Sequence, residues 1–392
     1  MTLKIKTMNK ISRKGLDLFT ERYVISDTEA SPHAIVVRSA QVNTDEFSGV
    51  LAVARAGAGT NNITIPEASA KGVCVFNTPG ANANAVSELV FTSLGVILRN
   101  LHKSQDFINS IKNIEDDAEV SKLVESNKSK YAGAEMAGKT MGVVGLGKIG
   151  VLVANGSIER CMKAIAYEPY PNVSNMHMLH PSVTVTQNLS EVIAASDFLS
   201  LHVPYNQGTK GLLNEETLKD FSKNGIILNF ARGGIVDIAD SLKLLDENKL
   251  GGIVTDFPTH AELNNPKILC LPHLGASTEE AEENCATMAV AQIKDYLEFG
   301  IVHNSVNFPT VEGRPSSSVK SRIIVINTDV PNMIANITKV VGDAGLNIQS
   351  FKNESNGKIG YNIIDLETSV GENLMDSIRS LANVLKVRLI NF

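Results

Sequence analysis

The sequence is short of cysteine, has no surplus of positive charge and contains no long apolar run, and each shortage closes off a class of function. Its 392 residues include four cysteines, Cys74, Cys161, Cys270 and Cys285, far apart and without C-x-x-C spacing. That pattern supports neither a zinc site, so no metal is expected, nor a disulfide framework. Lysine and arginine total 36 against 42 aspartates and glutamates, a net charge of −6. General binding to nucleic acid or to a membrane surface is therefore not expected, although a local basic pocket is compatible with this balance. The most apolar stretch, residues 85–98, contains Glu88 and falls short of the ~20 residues a bilayer span needs. The amino end lacks the apolar core of a signal peptide, so the expected location is the cytoplasm. No internal repeat is visible. Hydrophobic residues at 43% and charged residues at 20% fit an ordinary soluble globular chain of two or three domains.

Short apolar runs separated by helix-compatible segments dominate most of the chain. Residues 34–37, 50–53 and 73–76 read as buried parallel strands. Residues 85–110 read as helix, and the charged stretch 113–130 as a solvated helix and connector. The alternation resumes with strands at 141–144, 164–167, 198–201, 226–228, 253–255 and 268–269, the sequence form of a doubly wound sheet. A long helix is expected from Ser277, where Ser277, Thr278, Glu279 and Glu280 fit a capping box. Its apolar face would be Cys285, Met288, Ala289, Gln292, Ile293, Tyr296 and Leu297. Residues 308–320, with Pro309, Pro315 and three serines, look like a linker. The last seventy residues read as strand 323–326, helix 331–344, strands 346–351 and 359–366, helix 372–381 and strand 387–390. That order, βαββαβ, is ferredoxin-like. The expected fold class is thus α/β, two doubly wound Rossmann-like domains and a ferredoxin-like tail.

Gly145, Gly147 and Gly150 form a G-x-G-x-x-G turn between a predicted strand and a predicted helix. In a dinucleotide site the first glycine permits the tight turn, the second lets a pyrophosphate approach the backbone, and the third allows close helix–strand packing. The helix N-terminus adds free amides and positive partial charge. Glu168 ends the next predicted strand, where a carboxylate accepts bonds from ribose hydroxyls and repels a 2′-phosphate. The expected cofactor is NAD rather than NADP.

A nicotinamide enzyme that oxidises an alcohol needs a base for the hydroxyl proton and a cation for the forming carbonyl and its carboxylate. Histidine suits the first task and arginine the second. His273 and Arg232 both follow predicted strands, where open α/β sheets bind ligands.

NFARGGIVD (229–237) and LPHLGAST (271–278) resemble the signatures of the D-isomer-specific 2-hydroxyacid dehydrogenases. RAGAG (55–59) and NTPGAN (77–82) match further stretches of that family. GLNI (345–348) and GYNIID (360–365) resemble the ACT regulatory domain that some members carry. The resemblance covers nearly the whole chain and is strongest to the branch that oxidises 3-phospho-D-glycerate with NAD at the entry to serine synthesis. It implies a substrate-binding domain over residues 1–92, an NAD-binding domain over 93–273 and a returning helix over 274–307. A linker over 308–320 and an ACT-like domain over 321–392 would follow. By the same resemblance His273 takes the C2 hydroxyl proton and Arg232 holds the carboxylate. Arg38, Ser39, Arg55, Gly57 and Asn82 face the substrate, with a surface salt bridge as the alternative for Arg38. Ala58, Lys148, Ile149, Val203 and Asp256 contact the cofactor. A homodimer or homotetramer is implied.

Two stretches depart from the family pattern. The acid that should pair with the histidine falls in TDFPTHAEL (255–263), which is shortened; His260 lies near the expected place, and Glu262 is the nearest carboxylate and the expected partner. The first tail strand of relatives inhibited by serine ends in His-x-Asn-x-Pro-Gly, where this chain has NTDVPN (327–332). Asp329 and Asn347 remain as candidate ligands for an amino-acid effector, beside the alternative of a purely assembling tail. Three functions stay open at this stage: a dehydrogenase for a phosphorylated 2-hydroxy acid, a reductase for hydroxypyruvate or glyoxylate, and a non-catalytic NAD-sensing scaffold.

Overall fold

The computed structural model describes residues 2–392, which divide into two compact units: one formed by residues up to Asn82 together with Glu279–Phe392, the other by Ala83–Thr278. The expected boundary at 92/93 falls inside a helix; the division lies at 82/83. Among the described residues no helix is long and apolar enough to cross a membrane.

The first unit opens with β1 (Leu3–Met8), a short helix α1 (Arg13–Leu16), β2 (Tyr23–Ser26), β3 (Ala34–Val37), β4 (Ala52–Arg55), α2 (Ile65–Ala70) and β5 (Cys74–Phe76). These strands form one sheet in the order β2-β1-β3-β4-β5, every pair parallel. β3 and β5 are buried throughout, as expected for strands covered on both faces. β1 and β2 carry no continuous apolar run; Lys4 and Lys6 interrupt β1, and Lys6 Nζ reaches out to the carbonyls of Asp27 and Glu29.

The second unit begins with α3 (Ala83–Leu98), α4 (Leu101–Ile111) and α5 (Asp117–Asn127). The single helix expected over 85–110 is broken at Asn100, whose φ is 50°, a conformation asparagine tolerates better than most residues. There follow β6 (Thr140–Val144), α6 (Lys148–Glu159), β7 (Lys163–Tyr167), α7 (Val173–His177), β8 (Thr184–Thr186), α8 (Leu189–Ala195) and β9 (Phe198–Leu201). β10 (Ile226–Asn229), α9 (Ile238–Asp246), β11 (Gly252–Thr255) and β12 (Ile268–Cys270) complete the unit. The sheet order is β12-β11-β10-β9-β6-β7-β8, parallel throughout. The strand order reverses between β6 and β9, the kind of switch point at whose carboxyl edge doubly wound sheets bind ligands.

The chain then returns to the first unit through α10 (Glu279–Phe299). This helix starts two residues later than the capping box implied. Its expected face is buried at Cys285, Ala289, Gln292, Ile293, Tyr296 and Leu297, while Met288 is only partly covered. The tail consists of β13 (Ser321–Thr328), α11 (Met333–Asp343), β14 (Ser350–Ser355), β15 (Ile359–Leu366), α12 (Glu372–Arg379) and β16 (Val384–Asn391). Its antiparallel order β14-β15-β13-β16 is the ferredoxin-like arrangement. Ile323 and Val325 pack with α11 and α12. Ile324 and Ile326 join Phe76, Tyr296 and Phe308 in the core of the parallel sheet. The tail is therefore built into the first unit. The segment expected as a linker is packed over part of its length, with Phe308, Val311 and Val319 buried.

Candidate active site

The glycine turn follows β6 at the switch point. Gly145 has φ +97°, and a Cβ there would meet the His202 carbonyl and Val203 Cγ1 at 2.8 Å. A Cβ on Gly150 would lie 1.9 Å from the Gly145 carbonyl, whereas one on Gly147 would meet nothing within 4 Å. Each glycine thus has a separate reason: turn, close packing, and an open approach over the first turn of α6. Lys148 begins that helix and is exposed; Ile149 is half-buried. Glu168, just past β7, accepts from the Leu146 amide at 2.8 Å and the Tyr170 amide at 2.9 Å. Its charge is thereby fixed beside the turn. Asn175 of α7 also holds the turn, donating to the Leu146 carbonyl at 3.1 Å. His202, after β9, bonds Ser200 Oγ through Nε2 at 2.8 Å, and burial pushes its pKa down to about 3, so it stays neutral in the physiological range.

Arg232, Asp256 and His273 follow β10, β11 and β12, three adjacent parallel strands, so one edge of the sheet carries all three. Asn229 clamps the first turn: its side chain accepts from the Ala231 amide at 3.2 Å and donates to the Arg232 carbonyl at 3.0 Å. The Arg232 side chain is exposed and spends Nη1 on the Ala231 carbonyl at 2.7 Å. Asp256 is buried, and its two oxygens accept from Leu274 N at 2.8 Å and Gly275 N at 2.7 Å. Those bonds tie down the loop in which His273, an exposed residue, adopts φ 57°. Phe257 packs against the imidazole with ring centroids 4.8 Å apart. Its Cβ also lies 3.6 Å from where a Cβ on Gly233 would stand. One aromatic side chain therefore adjoins both the arginine and the histidine loops.

Glu262 is 1% exposed, whereas His260 is exposed. Its Oε2 accepts from both the amide and hydroxyl of Thr259, at 2.7 and 2.8 Å. After burial, its charge is the second cause that raises the Cys270 thiol pKa, which puts the carboxylate towards the end of β12. Among the described residues no ion pair within 4.0 Å joins Glu262 to His273. Of the two side chains in the shortened loop, it is the carboxylate that turns inward.

The remaining candidates of the cofactor and substrate sets lie in the first unit. Ala58 accepts through its carbonyl from Asn77 Nδ2 at 2.6 Å. Arg55 Nε donates to the Arg38 carbonyl at 3.0 Å, and its guanidinium covers Gly57, where a Cβ would fall 2.1 Å from Nη1. The Ser39 amide donates to Asn9 Oδ1 at 3.0 Å, and Asn82 is half-buried. The structure brings Arg38 and Arg55 together and also forms the salt bridge weighed for Arg38, to Glu282 at 2.6 Å. Of the tail candidates, Asp329 bonds Ser355 Oγ, beyond one end of β14. Asn347 is exposed and precedes the other end. The structure therefore does not bring them together within one chain.

Sequence reasoning missed Phe257, Thr259, Asn229 and Glu282, and it gave Asp256 no part in holding His273. Only Asn229 had a visible signal, as a short polar side chain closing a turn. Among the described residues no group of three or more His, Cys, Asp or Glu is placed to hold a metal.

Residues 98–275 match the family described as D-isomer specific 2-hydroxyacid dehydrogenase, NAD binding domain. A D-3-phosphoglycerate dehydrogenase of Haemophilus influenzae is 29% identical over 343 residues, spanning 85% of this chain and 79% of that one. One from Bacillus subtilis is 29% identical over 337 residues, spanning 81% of this chain but 61% of its own length. Among solved structures, an NAD+-bound 3-phosphoglycerate dehydrogenase of Entamoeba histolytica superposes with TM-score 0.60 at 24% identity over 78% of this chain and 99% of that one. That likeness bears on the fold. With the glycine turn, the carboxylate beyond β7 and the arginine and histidine loops on one sheet edge, residues 98–275 belong to the NAD binding domain of the D-isomer specific 2-hydroxyacid dehydrogenase family.

Proposed function

We propose that the protein oxidises 3-phospho-D-glycerate to 3-phosphohydroxypyruvate with NAD+, the first step of serine synthesis from that precursor. The observation that carries this reading is the placement of Arg232, Asp256 and His273 at the ends of adjacent strands, with Phe257 between the two reacting loops. The names of the curated relatives support the substrate.

The residues present fit a dinucleotide: an open face at Gly147, free amides at the start of α6, and a negative charge at Glu168 that favours two ribose hydroxyls over a 2′-phosphate. When bound, NAD+ supplies the hydride acceptor. Ala58, Lys148, Ile149 and Val203 are further candidates for holding it. His273 takes the C2 hydroxyl proton, the general-base role that histidine fills most often. Arg232 keeps the donors not spent on Ala231 for the substrate carboxylate and the forming carbonyl oxygen. Glu262 is the candidate for raising the basicity of His273, acting through a shift of its loop or a bridging water. Arg38 and Arg55 are the candidates for phosphate. We further propose a homo-oligomer in the cytoplasm, with the tail as an ACT-like domain for an amino-acid effector.

The test is NADH formation at alkaline pH with 3-phosphoglycerate, glycerate and lactate side by side. Turnover with the phosphorylated acid alone is expected. Turnover with glycerate alone would transfer the protein to the hydroxypyruvate and glyoxylate reductases. Cofactor binding without turnover in either direction would make it a sensing scaffold. His273→Ala should abolish turnover and spare NAD+ affinity; equal loss of both would make the histidine structural.

A further inference from the structure

Gln292 breaks the pattern of its helix. It stands on the buried face of α10 with Ala289, Ile293 and Tyr296 and is 5% exposed. Its Nε2 donates to the Asn77 carbonyl and to the Met288 carbonyl, both at 3.1 Å. Two carbonyls against one end fix how the amide is turned, because the reversed amide would set oxygen against oxygen. Among the described residues its Oε1 has no hydrogen-bond partner. A buried oxygen of that kind costs stability, and a methionine of similar length would fill the apolar face without it. Residues that break a local rule in this way concentrate at functional sites.

Asn77 begins the loop after β5. Its Nδ2 donates to the Ala58 carbonyl at 2.6 Å, and the Thr78 amide donates to the Gly57 carbonyl at 3.1 Å. The loop that runs to Asn82 is thereby tied to the loop after β4, which follows Arg55 and contains Gly57. Gln292 holds the residue that makes the first of these ties. We infer, on the reading above in which Arg55, Gly57 and Asn82 face the acid, that Gln292 is a positioning residue for substrate binding. Its amide anchors the Asn77 turn, so the two loops keep one spacing. Loops ordered before the acid arrives spare it the cost of ordering them. The benefit is the same for the bound acid and for the transition state, so it falls on KM rather than on kcat.

The experiment compares the full-length wild type with Gln292→Met and Gln292→Glu, side chains of similar length. Met removes the donor; Glu replaces the NH2 by an oxygen that, when ionised, repels both carbonyls. In Gln292→Met, KM for 3-phosphoglycerate should rise about two- to tenfold, the usual effect of one neutral hydrogen bond. In Gln292→Glu it should rise further, and kcat should stay within about twofold in both. The Tm of Gln292→Met should remain near that of the wild type, since the unpaired oxygen leaves together with the bond. A packing role predicts the reverse order, with Met at least equal to Gln. An unchanged KM in Gln292→Met, or a fall in kcat alone, would overturn the inference. Should that variant not fold, Asn77→Ala removes the tie to Ala58 without touching α10; a raised KM is expected there, and an unchanged one would refute the clamp. If the wild type does not turn over 3-phosphoglycerate, the phosphoglycerate reading fails. Amide hydrogen exchange then decides on Gln292 alone: peptides spanning 74–82 should exchange about two- to tenfold faster in Gln292→Met, with the rest of the parallel sheet unaffected. Wild-type exchange in that loop, or faster exchange throughout the sheet, would refute it.

Discussion

Asp256→Asn should slow turnover roughly tenfold at saturating cofactor without unfolding the protein. The Asp256 carboxylate accepts from two consecutive amides, Leu274 N at 2.8 Å and Gly275 N at 2.7 Å. Hydrogen bonds to a charged group contribute about 1.5–3 kcal/mol each. The left-handed conformation of His273, φ 57°, costs about 1–2 kcal/mol. Two bonds hold the loop against that strain with a margin of a few kcal/mol. Asparagine can accept one of the amides, but its NH2 then faces the other, a buried donor left unpaired at a cost of about 1–3 kcal/mol. The margin shrinks to near or below zero, and the histidine spends most of its time away from the reactive position.

The assay is steady-state NADH formation with NAD+ varied, beside thermal unfolding and cofactor titration. The expected pattern is a fall in kcat with Tm lowered by a few degrees. Wild-type kcat in the variant would refute the tether. Recovery of the full rate at high NAD+ would assign Asp256 to cofactor affinity instead.

Three other tests probe separate parts of the structure. Gly147→Ala, where the new Cβ meets nothing within 4 Å, should leave Tm unchanged and weaken NAD+ binding; Gly150→Ala, 1.9 Å from the Gly145 carbonyl, should destabilise the second unit itself. Calorimetry with NAD+ and thermal scans separate the two, and equal behaviour would remove the phosphate-cradle account. Arg322 is 1% exposed, forks onto both oxygens of Asp365 at 2.6 and 2.9 Å and donates to the carbonyls of Phe299 and Gly313. Arg322→Ala strands a buried carboxylate and should cost about 3–5 kcal/mol, while the double change to Met and Leu should recover most of it; no recovery would mean that packing, not charge, sets the loss. Lys386 donates to the Val50 carbonyl at 2.9 Å, and burial, with Arg388 and Lys71 nearby, lowers its pKa from 10.5 to about 8. The unfolded chain therefore binds more protons between those values, and stability rises with pH across that window. At ~1.4 kcal/mol per pKa unit the penalty below pH 8 is about 3 kcal/mol, so Lys386→Met should stabilise at pH 7 and not at pH 10.5; a gain independent of pH would contradict it.

What the sequence disclosed depended on whether a residue's reason was local. The three glycines were legible because each answers to its own backbone. Strands β3, β6, β9 and β10 were legible because burial on both faces leaves a mostly apolar run, with Ser200 the polar residue inside β9. β1 and β2 were not, since Lys4 and Lys6 interrupt one and the other shows only Tyr23 buried. β8 shows too little pattern to read, because none of its three residues, two of them threonines, is buried. His273 and Arg232 could be named as a base and an anion grip. The carboxylate that holds the histidine and the phenylalanine packed beside it come from another strand end, which no local window contains. Glu262 shows the same limit, because its polar neighbours predict an exposed loop and only the Thr259 cap reveals the inward turn. Glu282 read as one acid among several at a helix start, and its pairing with a residue 244 positions earlier (282 − 38) is tertiary.

The tail raises a different problem, since a fused domain should be removable and this one is wired into its host. No basic residue occupies the last turn of α10, where a helix favours positive charge and leaves carbonyls unpaired. The tail supplies both. Arg388 donates to the carbonyls of Tyr296 and Leu297, and Arg322 to that of Phe299. Tyr361 Oη bonds the Gly300 carbonyl at 2.8 Å. Tyr296 lies under the Arg388 guanidinium, 4.7 Å from its ring centroid, and Phe308 packs 5.8 Å from Tyr361. Exposing those two aromatic side chains costs about 1.5–3 kcal/mol each, and four lost hydrogen bonds add about 0.5–1.5 kcal/mol apiece. The sum, about 5–12 kcal/mol, rivals the whole stability of a typical domain, about 5–15 kcal/mol. A chain ending at residue 320 should therefore lose the cooperative unfolding of its first unit and bind hydrophobic dyes, whether or not the tail senses an effector. A truncated protein with an undiminished Tm would show that the arginine caps and the shared core are incidental, and that the tail is a detachable domain after all.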